Sequence, residues 1–231
     1  MVQYQRRGRR ATRPAAEVGM ELTWLGHACF RLRGRDLTIV TDPFDSQLGW
    51  PLPKMSADVV TVSHAEPNHN AVGKVDGAPR VVAGPGEYEL AGTMITGVAT
   101  PRPPGQGRDA PRNTAYLFEL DDVTICHLGD LAAPLGSDQV AVVKDADVLL
   151  VPVGGHCTID GAQAAEIVAQ VEPKLVVPMH YLTPGVRLEL DPVDRFCREI
   201  GAADLTPQPR LNITRASLPD QLTVALLEPR K

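Results

Sequence analysis

Short apolar runs, most of them rich in β-branched residues, follow one another along the chain from Glu21 onward. Runs of this length between turn-forming residues are typical of β-strands. The predicted strands are 22–25, 29–32, 37–41, 59–63, 80–83, 94–98, 114–120, 123–128, 148–153, 175–179 and 222–227. Strands in this number are enough for two sheets, so the chain has to bury a large β core.

Two helices are predicted, both in the second half of the chain. The first follows Asp160 and Gln163, which have capping-box spacing, and it ends before Pro173. Its apolar positions, Ala164, Ile167, Val168 and Val171, recur at helical spacing. The second begins at Asp191, with a proline in its first turn, and ends at Gly201. Both are expected to lie on a sheet.

The composition is that of one globular domain. The chain has 231 residues, of which 43% are hydrophobic and 22% charged. We predict a single domain over 20–231 and a basic, disordered tail over 1–19, with a functional basic arm as the alternative for the tail. The proline-rich segment 101–113 is predicted to be a long loop, either bordering an active site or forming a surface insertion.

Charge and cysteine content narrow the classes of function. A net charge of −5 makes nucleic-acid binding unlikely outside the basic tail. The four cysteines form no CxxC pair, which argues against a disulfide framework and favours a reducing compartment, so we expect a cytoplasmic protein. We expect neither a membrane span nor a signal peptide, because no apolar run is long enough. The sequence leaves a homo-oligomer open.

Histidines stand at or just after the ends of predicted strands. All six have this placement: His27, His64, His69, His127, His156 and His180. Side chains that leave strand ends can converge at one rim of a sheet, which is how distant segments build a metal or catalytic site. A single histidine there is more often a hydrogen-bonded structural residue, so the inference depends on several of them together.

The densest local cluster is SHAEPNHN, residues 63–70, which follows a predicted strand. Two imidazoles and the carboxylate of Glu66 within six residues can hold a divalent ion. Pro67 and the preceding strand exclude the helix that an HExxH metalloprotease requires, and the spacing is different in any case.

Ordered motifs spread along the chain resemble the metallo-β-lactamase superfamily, especially its branch of ascorbate-6-phosphate lactonases and bacterial metal-dependent hydrolases. The motifs are WLGHACF, TDPF, SHAEPNHN, GPGEYEL, HLGD, VPVGG and PMHY, in that order between about residue 20 and residue 184. The resemblance implies a four-layer αββα sandwich, an α/β (α+β) fold in which two facing sheets carry outer helices. It also implies one or two metal ions at the rim.

The same resemblance assigns site residues. His64, His69, Asp130 and His180 match the family's ligand positions, and Asp42 matches its supporting strand-end aspartate. Three positions depart from the pattern. Glu66 replaces a histidine, Asn68 replaces an aspartate, and no histidine precedes His127 as the intervening ligand, near where Arg102 stands.

These departures weaken one metal site more than the other. A site of His64, Glu66 and Asp130 would face the cation of Arg102 and is expected to be weak or empty. A site of His69, Asp130 and His180 keeps two histidines and a carboxylate, which suits catalytic zinc, with manganese as the alternative. One ion or none is therefore expected.

The sequence leaves two main functions open. One is a hydrolase of a small ester, lactone or phosphodiester in which metal-activated water attacks, Asp130 holds the metal, His64 shuttles a proton, and His27 or Arg102 holds an anionic group. The other is a non-catalytic member of the fold that binds a ligand or partner. A nuclease ranks last on charge. His127 is expected to make a supporting hydrogen bond, and His156 to be a loop residue at the rim of the pocket.

Overall fold

The computed structural model describes residues 19–101, 112–202 and 204–230. The predicted tail, apart from Gly19, and Arg102 lie outside the described residues. Most of the predicted loop 101–113 lies outside them too, so neither it nor the tail is tested.

The first sheet has six strands in the order β14-β1-β2-β3-β5-β7. Its strands are β1 (Met20–Gly26), β2 (Cys29–Arg33), β3 (Thr38–Thr41), β5 (Val59–Val62), β7 (Arg80–Ala83) and β14 (Leu211–Ile213). Strands β14, β1, β2 and β3 pair antiparallel, whereas β3, β5 and β7 pair parallel. A small additional sheet pairs β4 (Met55–Ser56) with β6 (Val75–Asp76).

The second sheet has seven strands in the order β15-β13-β12-β11-β10-β9-β8. Its strands are β8 (Gly86–Leu90), β9 (Thr93–Ala99), β10 (Thr114–Leu120), β11 (Val123–His127), β12 (Val148–Pro152), β13 (Leu175–Met179) and β15 (Thr223–Val224). Strands β8 to β11 form an antiparallel meander, and β11, β12, β13 and β15 are parallel.

The α-helices of the described residues are α1 (Ser137–Val143), α2 (Gly161–Val171) and α3 (Asp194–Glu199). Helix α2 has the predicted cap, since Asp160 accepts a hydrogen bond from the backbone of Gln163 at 2.9 Å. Helix α3 begins later than predicted, because the Asp191 carboxylate accepts from Arg195 and its backbone N–H is bonded to Gly154. No α-helix in these ranges is both long and apolar enough to cross a membrane.

Alternation along the strands builds the core between the two sheets. On β3 and β5, Ile39 and Val59 belong to the large central cluster, whereas Val40 and Val60 belong to a second cluster. Successive strand residues point to opposite faces, so the first pair lies between the sheets and the second on the outer face of the six-stranded sheet. Short 3₁₀ turns and loops around Leu48 cover that outer face.

Two backbone hydrogen bonds join the sheets at one edge of the sandwich. The His180 N–H, directly after β13, donates to the His27 carbonyl, directly after β1, at 3.1 Å. The Thr114 N–H at the start of β10 donates to the Ser63 carbonyl after β5 at 2.9 Å. The predicted facing-sheet fold is therefore present, and the ends of its strands meet where the histidines are.

Candidate metal centre

Three side chains from different strand ends converge at this edge. The Nε2 atoms of His69 and His180 lie 3.5 Å and 3.3 Å from Oδ1 of Asp130. Both histidines are fully buried, and none of these three atoms has a hydrogen-bond partner. Buried polar atoms are almost always paired, so three unpaired atoms, two of them within 3.5 Å of the third, form an arrangement that can hold a cation.

Asp42 orients the first of these histidines. It follows β3, is fully buried, and its Oδ2 lies 2.9 Å from Nδ1 of His69. The other carboxylate oxygen accepts the backbone N–H of Ser63 at 2.8 Å, and the Ser63 hydroxyl donates to Oδ2. With a proton on Nδ1 directed to Asp42, His69 presents a free lone pair on Nε2. Histidines that bind metals are usually held by such a carboxylate.

The histidines and aspartates of this cluster shift one another's pKa values toward their charged forms. Burial alone would lower the pKa of His69, but Asp130 and then Asp42 raise it overall. Burial would likewise raise the pKa of Asp130, but His180 and His69 outweigh it and hold that pKa below its usual range. Asp130 is therefore an anion at neutral pH, as a metal ligand has to be.

The turn that carries Asp130 is held by two residues. Gly129 has φ +60°, and a Cβ there would lie 2.4 Å from the Ser63 Cβ. The Asp130 N–H donates to Oδ1 of Asn113 at 2.8 Å, and the Asn113 amide donates to the Leu128 carbonyl at 2.9 Å. Ser63 and Asn113 were not assigned a role from sequence. Nothing in the sequence marks Asn113 except its place before a strand.

Left-handed backbone conformations recur at the centre. His27, Asp42, His156 and His180 have φ values of 54°, 40°, 57° and 53°. Such conformations cost non-glycine residues on the order of 1–3 kcal/mol each and persist where the surroundings impose them, often at functional sites. Here each one redirects the chain directly after a strand or within a rim loop.

His27 lies against the other histidines. Its ring centroid is 3.8 Å from that of His180 and 4.8 Å from that of His69, and one nitrogen of each of the three residues lies within 4.8 Å of the others. The Nδ2 of Asn68 is 3.1 Å from Nε2 of His27. Burial, His180 and His69 hold the pKa of His27 well below 6.5, so its ring is neutral and cannot attract an anion as a cation would.

The residues of the predicted first site are only loosely gathered. Nδ1 of half-buried His64 is 3.8 Å from Oδ2 of Asp130. Glu66 is exposed, and neither it nor His64 belongs to a group of three possible ligands among the described residues. The structure therefore brings together His69, Asp130, His180 and His27, with His64 at their edge.

The two remaining histidines lie apart from this cluster. His127 is fully buried, and its Nε2 lies 2.8 Å from the carbonyl oxygen of Ala28. Burial lowers its pKa. His156 is on an exposed loop, 3.8 Å from Asp191 and 3.9 Å from Glu189.

One possible ligand was not identified from sequence. The Cys157 sulfur lies in a group with Asp130 and His180 whose ligand atoms are all within 4.8 Å of one another. Partial burial of the sulfur and the Asp130 carboxylate raise the pKa of this thiol to about 11. The available signal was its position shortly after a strand, which is the same signal that marked the histidines.

The chain has clear relatives. A family profile described as a β-lactamase superfamily domain matches residues 21–180. A protein from Methanoculleus marisnigri named a metal-dependent hydrolase is 34% identical over 202 residues, which cover 76% of this chain and 88% of the relative. A metal-dependent hydrolase from Pyrococcus horikoshii is 29% identical and covers 79% of this chain and 92% of its own.

Solved structures give the same result. A protein from Thermotoga maritima, described as a candidate Zn-dependent hydrolase of the metallo-β-lactamase superfamily, superposes with a TM-score of 0.76 at 38% identity, covering 90% of this chain and 98% of its own. A metallo hydrolase from Ignicoccus hospitalis superposes with a TM-score of 0.61 at 21% identity, covering 92% and 96%. The second similarity concerns the fold alone.

Proposed function

The chain belongs to the metallo-β-lactamase superfamily and to its group of metal-dependent hydrolases, and from this membership we propose that it hydrolyses a small molecule at a single divalent metal ion. His69, Asp130 and His180 are the proposed ligands. The observation that carries the proposal is that the unpaired Nε2 atoms of both histidines lie within 3.5 Å of the unpaired Oδ1 of Asp130. Two imidazoles and one carboxylate suit zinc, which we propose as the ion, with manganese as the alternative.

The residues around the ion have separate tasks. A bound divalent cation supplies Lewis acidity and makes water a nucleophile at neutral pH. Asp42 fixes the tautomer of His69 through the 2.9 Å contact, and Asn113 fixes the turn that presents Asp130. Asp130 is anionic and both histidines are neutral when they bind a metal, so the divalent cation can polarise a substrate oxygen that becomes negative.

His64 and His27 are the proposed groups in contact with substrate. The His64 imidazole is half-buried at the edge of the centre, 3.8 Å from Asp130, where it can accept and return a proton. His27 is neutral and touches Asn68, so it would orient substrate by hydrogen bonding rather than by charge. A small ester, lactone or phosphodiester fits these groups, since each is cleaved by water at a polarised carbonyl or phosphoryl centre.

One observation favours a second function. Glu66 belongs to no group of three possible ligands among the described residues, and Asn68 carries an amide rather than a carboxylate, so a second ion would have few ligands here. A protein that had lost catalysis could use the same edge to bind a ligand. Turnover separates the two functions, because a binding module would bind metal or ligand without hydrolysing any ester, lactone or phosphodiester.

The test measures metal content and hydrolysis together. Protein purified without added metal, and then supplied with zinc or manganese, should hold close to one equivalent and cleave a chromogenic ester, lactone or phosphodiester. His69→Ala and His180→Ala should lose both properties, whereas Glu119→Ala, an exposed change near the end of β10, should keep them. A wild-type protein that binds neither ion and stays inert would contradict the proposal.

A further inference from the structure

We propose that Cys157 is an additional ligand of the metal ion, so that the site combines His69, His180 and Asp130 with a thiolate. This inference rests on the proposed function, because it concerns the same ion. The family pattern assigns no role to Cys157. The inference comes from the position of the loop that follows β12 and carries Cys157.

The first observation is the position of the sulfur. One ligand atom each of Cys157, Asp130 and His180 lies within 4.8 Å of the other two. His180 is fully buried and both of its ring nitrogens lack a hydrogen-bond partner, as does Oδ1 of Asp130. The cysteine is therefore next to unpaired buried ligand atoms. Zinc binds sulfur at about 2.3 Å and nitrogen or oxygen at about 2.0–2.2 Å, so an ion there would draw the exposed thiol inward.

The second observation is how tightly the loop is held against the centre. The Ile159 N–H donates to the carbonyl of Leu131, the residue after Asp130, at 2.9 Å. At the other end, Gly154 approaches so closely that a Cβ there would lie 2.1 Å from the His180 carbonyl oxygen. The loop that carries Cys157 is thus hydrogen-bonded next to Asp130 and closely packed against His180.

The loop itself is a closed turn. The Gly155 N–H donates to the Ile159 carbonyl at 3.1 Å, and the Thr158 N–H donates to the Gly155 carbonyl at 3.0 Å. Within this turn His156 adopts φ 57°, a left-handed conformation that costs free energy, and the following residue, Cys157, lies beside Asp130 and His180.

The charge of the ligand set also favours a thiolate. Asn68 stands where the family pattern has an aspartate, so the set of His69, Asp130 and His180 carries one negative charge against a dication. A metal ion deprotonates a thiol that it binds, and the Cys157 thiolate would restore the second negative charge. Thiolate is a soft ligand that favours zinc over manganese, so the proposal also selects the metal.

Cobalt(II) substitution tests this assignment without relying on activity. Metal-free wild-type protein titrated with cobalt(II) should show visible d–d bands together with the near-ultraviolet absorption of a thiolate-to-cobalt charge transfer. Cys157→Ser should keep the d–d bands and lose the charge-transfer band, and its zinc affinity should fall about tenfold or more, a loss at least as large as that from an outer-shell partner. Cys197→Ser, which changes a half-buried cysteine outside both ligand groups, should keep both absorptions.

A second readout does not depend on the Cys157 variant. In the Cys197→Ser protein, Cys157 is the exposed thiol, since Cys29 and Cys126 are buried. Zinc should slow its reaction with a thiol reagent at least about tenfold. Cobalt d–d bands without charge transfer, or no protection by zinc, would overturn the thiolate ligand and leave the proposed metal site intact. Failure of wild-type protein to bind cobalt or zinc would overturn both.

Discussion

At the level of single residues, the main feature of the site is a set of buried histidine nitrogens without hydrogen-bond partners. A fully buried histidine normally pairs its ring nitrogens; His127 pairs its Nε2 with the Ala28 carbonyl and leaves Nδ1 without a partner. His180 leaves both nitrogens unpaired, and its backbone adopts a left-handed conformation. Unpaired atoms and backbone strain both cost stability, so their coincidence at one residue is best explained by an ion that repays the cost on binding.

Removing the carboxylate behind His69 tests how that residue is oriented. Asp42→Asn should weaken zinc binding about 10–100-fold, because the amide cannot hold His69 as the carboxylate does. The measurement is a competition titration with a chelating dye. Asp147→Asn is the matched control, since Asp147 is another buried carboxylate that accepts from a backbone N–H, at Thr124. Equal zinc affinities of the two variants would refute this role for Asp42.

The lowered pKa of His127 predicts an acid-sensitive fold. The unfolded chain takes up this proton near pH 6.5, before the folded protein does, so the stabilisation is complete above that pH and is lost as the pH falls below it. For metal-free protein, one such group contributes a slope of up to about 1.4 kcal/mol per pH unit. His127→Gln should therefore reduce the loss of stability between about pH 7 and about pH 5 in urea unfolding. Exposed His156→Gln should not, and equal slopes in all three proteins would contradict the prediction.

At the level of elements, strand ends and the loops that follow them position the site. Sequence predicts the strands well where a run is apolar and bounded by turns, and β7, β10 and β13 have the predicted bounds. It misses β8 and α1, whose residues are mostly exposed and polar or weakly periodic. Periodicity is a signal of burial, so edge strands and short surface helices carry little of it.

The loop after β12 should tolerate no side chain at its first glycine. In Gly154→Ala the new methyl group would meet the His180 carbonyl oxygen, a backbone atom that cannot rotate away. We expect a loss of about 1–3 kcal/mol in the free energy of unfolding, together with weaker zinc binding, because the loop and His180 shift apart. Gly73→Ala is the control, since nothing lies within 4 Å of a Cβ there. A stable Gly154→Ala protein with normal zinc affinity would contradict this packing.

For the whole molecule, the facing sheets matter because their edges must stay in register for the site to form. Tyr116 on β10 bridges them: its hydroxyl donates to the Val62 carbonyl and accepts the Gly84 N–H, each at 2.9 Å. Val62 ends β5, directly before Ser63 and His64. The bridge therefore fixes the loop that carries the first histidines to the opposite sheet.

Removing this hydroxyl should loosen the sandwich. Tyr116→Phe leaves a buried carbonyl and an N–H without their partner, which costs about 1–3 kcal/mol. Urea unfolding measures the change. Tyr88→Phe is the matched control, because its hydroxyl makes one longer contact with Gly84, at 3.3 Å, on a half-exposed edge strand. Equal midpoints for the two variants would argue against Tyr116 as the bridge.

The sequence predicts those features of the site that depend on local patterns, and it does not predict those that depend on contacts between distant segments. Strand-end histidines and ordered motifs predicted His69, Asp130 and His180 as ligands, and the structure places these three residues close together. The sequence did not indicate the hydrogen bond from Asp130 to Asn113 or the proximity of Cys157 to Asp130 and His180, because both arise only when loops from distant strands meet. The neutral state of His27 was missed as well, since it results from burial beside His69 and His180.

The central claim is that His69, His180 and Asp130 bind one ion. Anomalous diffraction at the zinc edge, from crystals of metal-free protein soaked in zinc, locates the ion directly. We expect one strong peak about 2.0–2.2 Å from Nε2 of both histidines and from Oδ1 of Asp130. A peak elsewhere with these three atoms unliganded, or no peak at all, would contradict it.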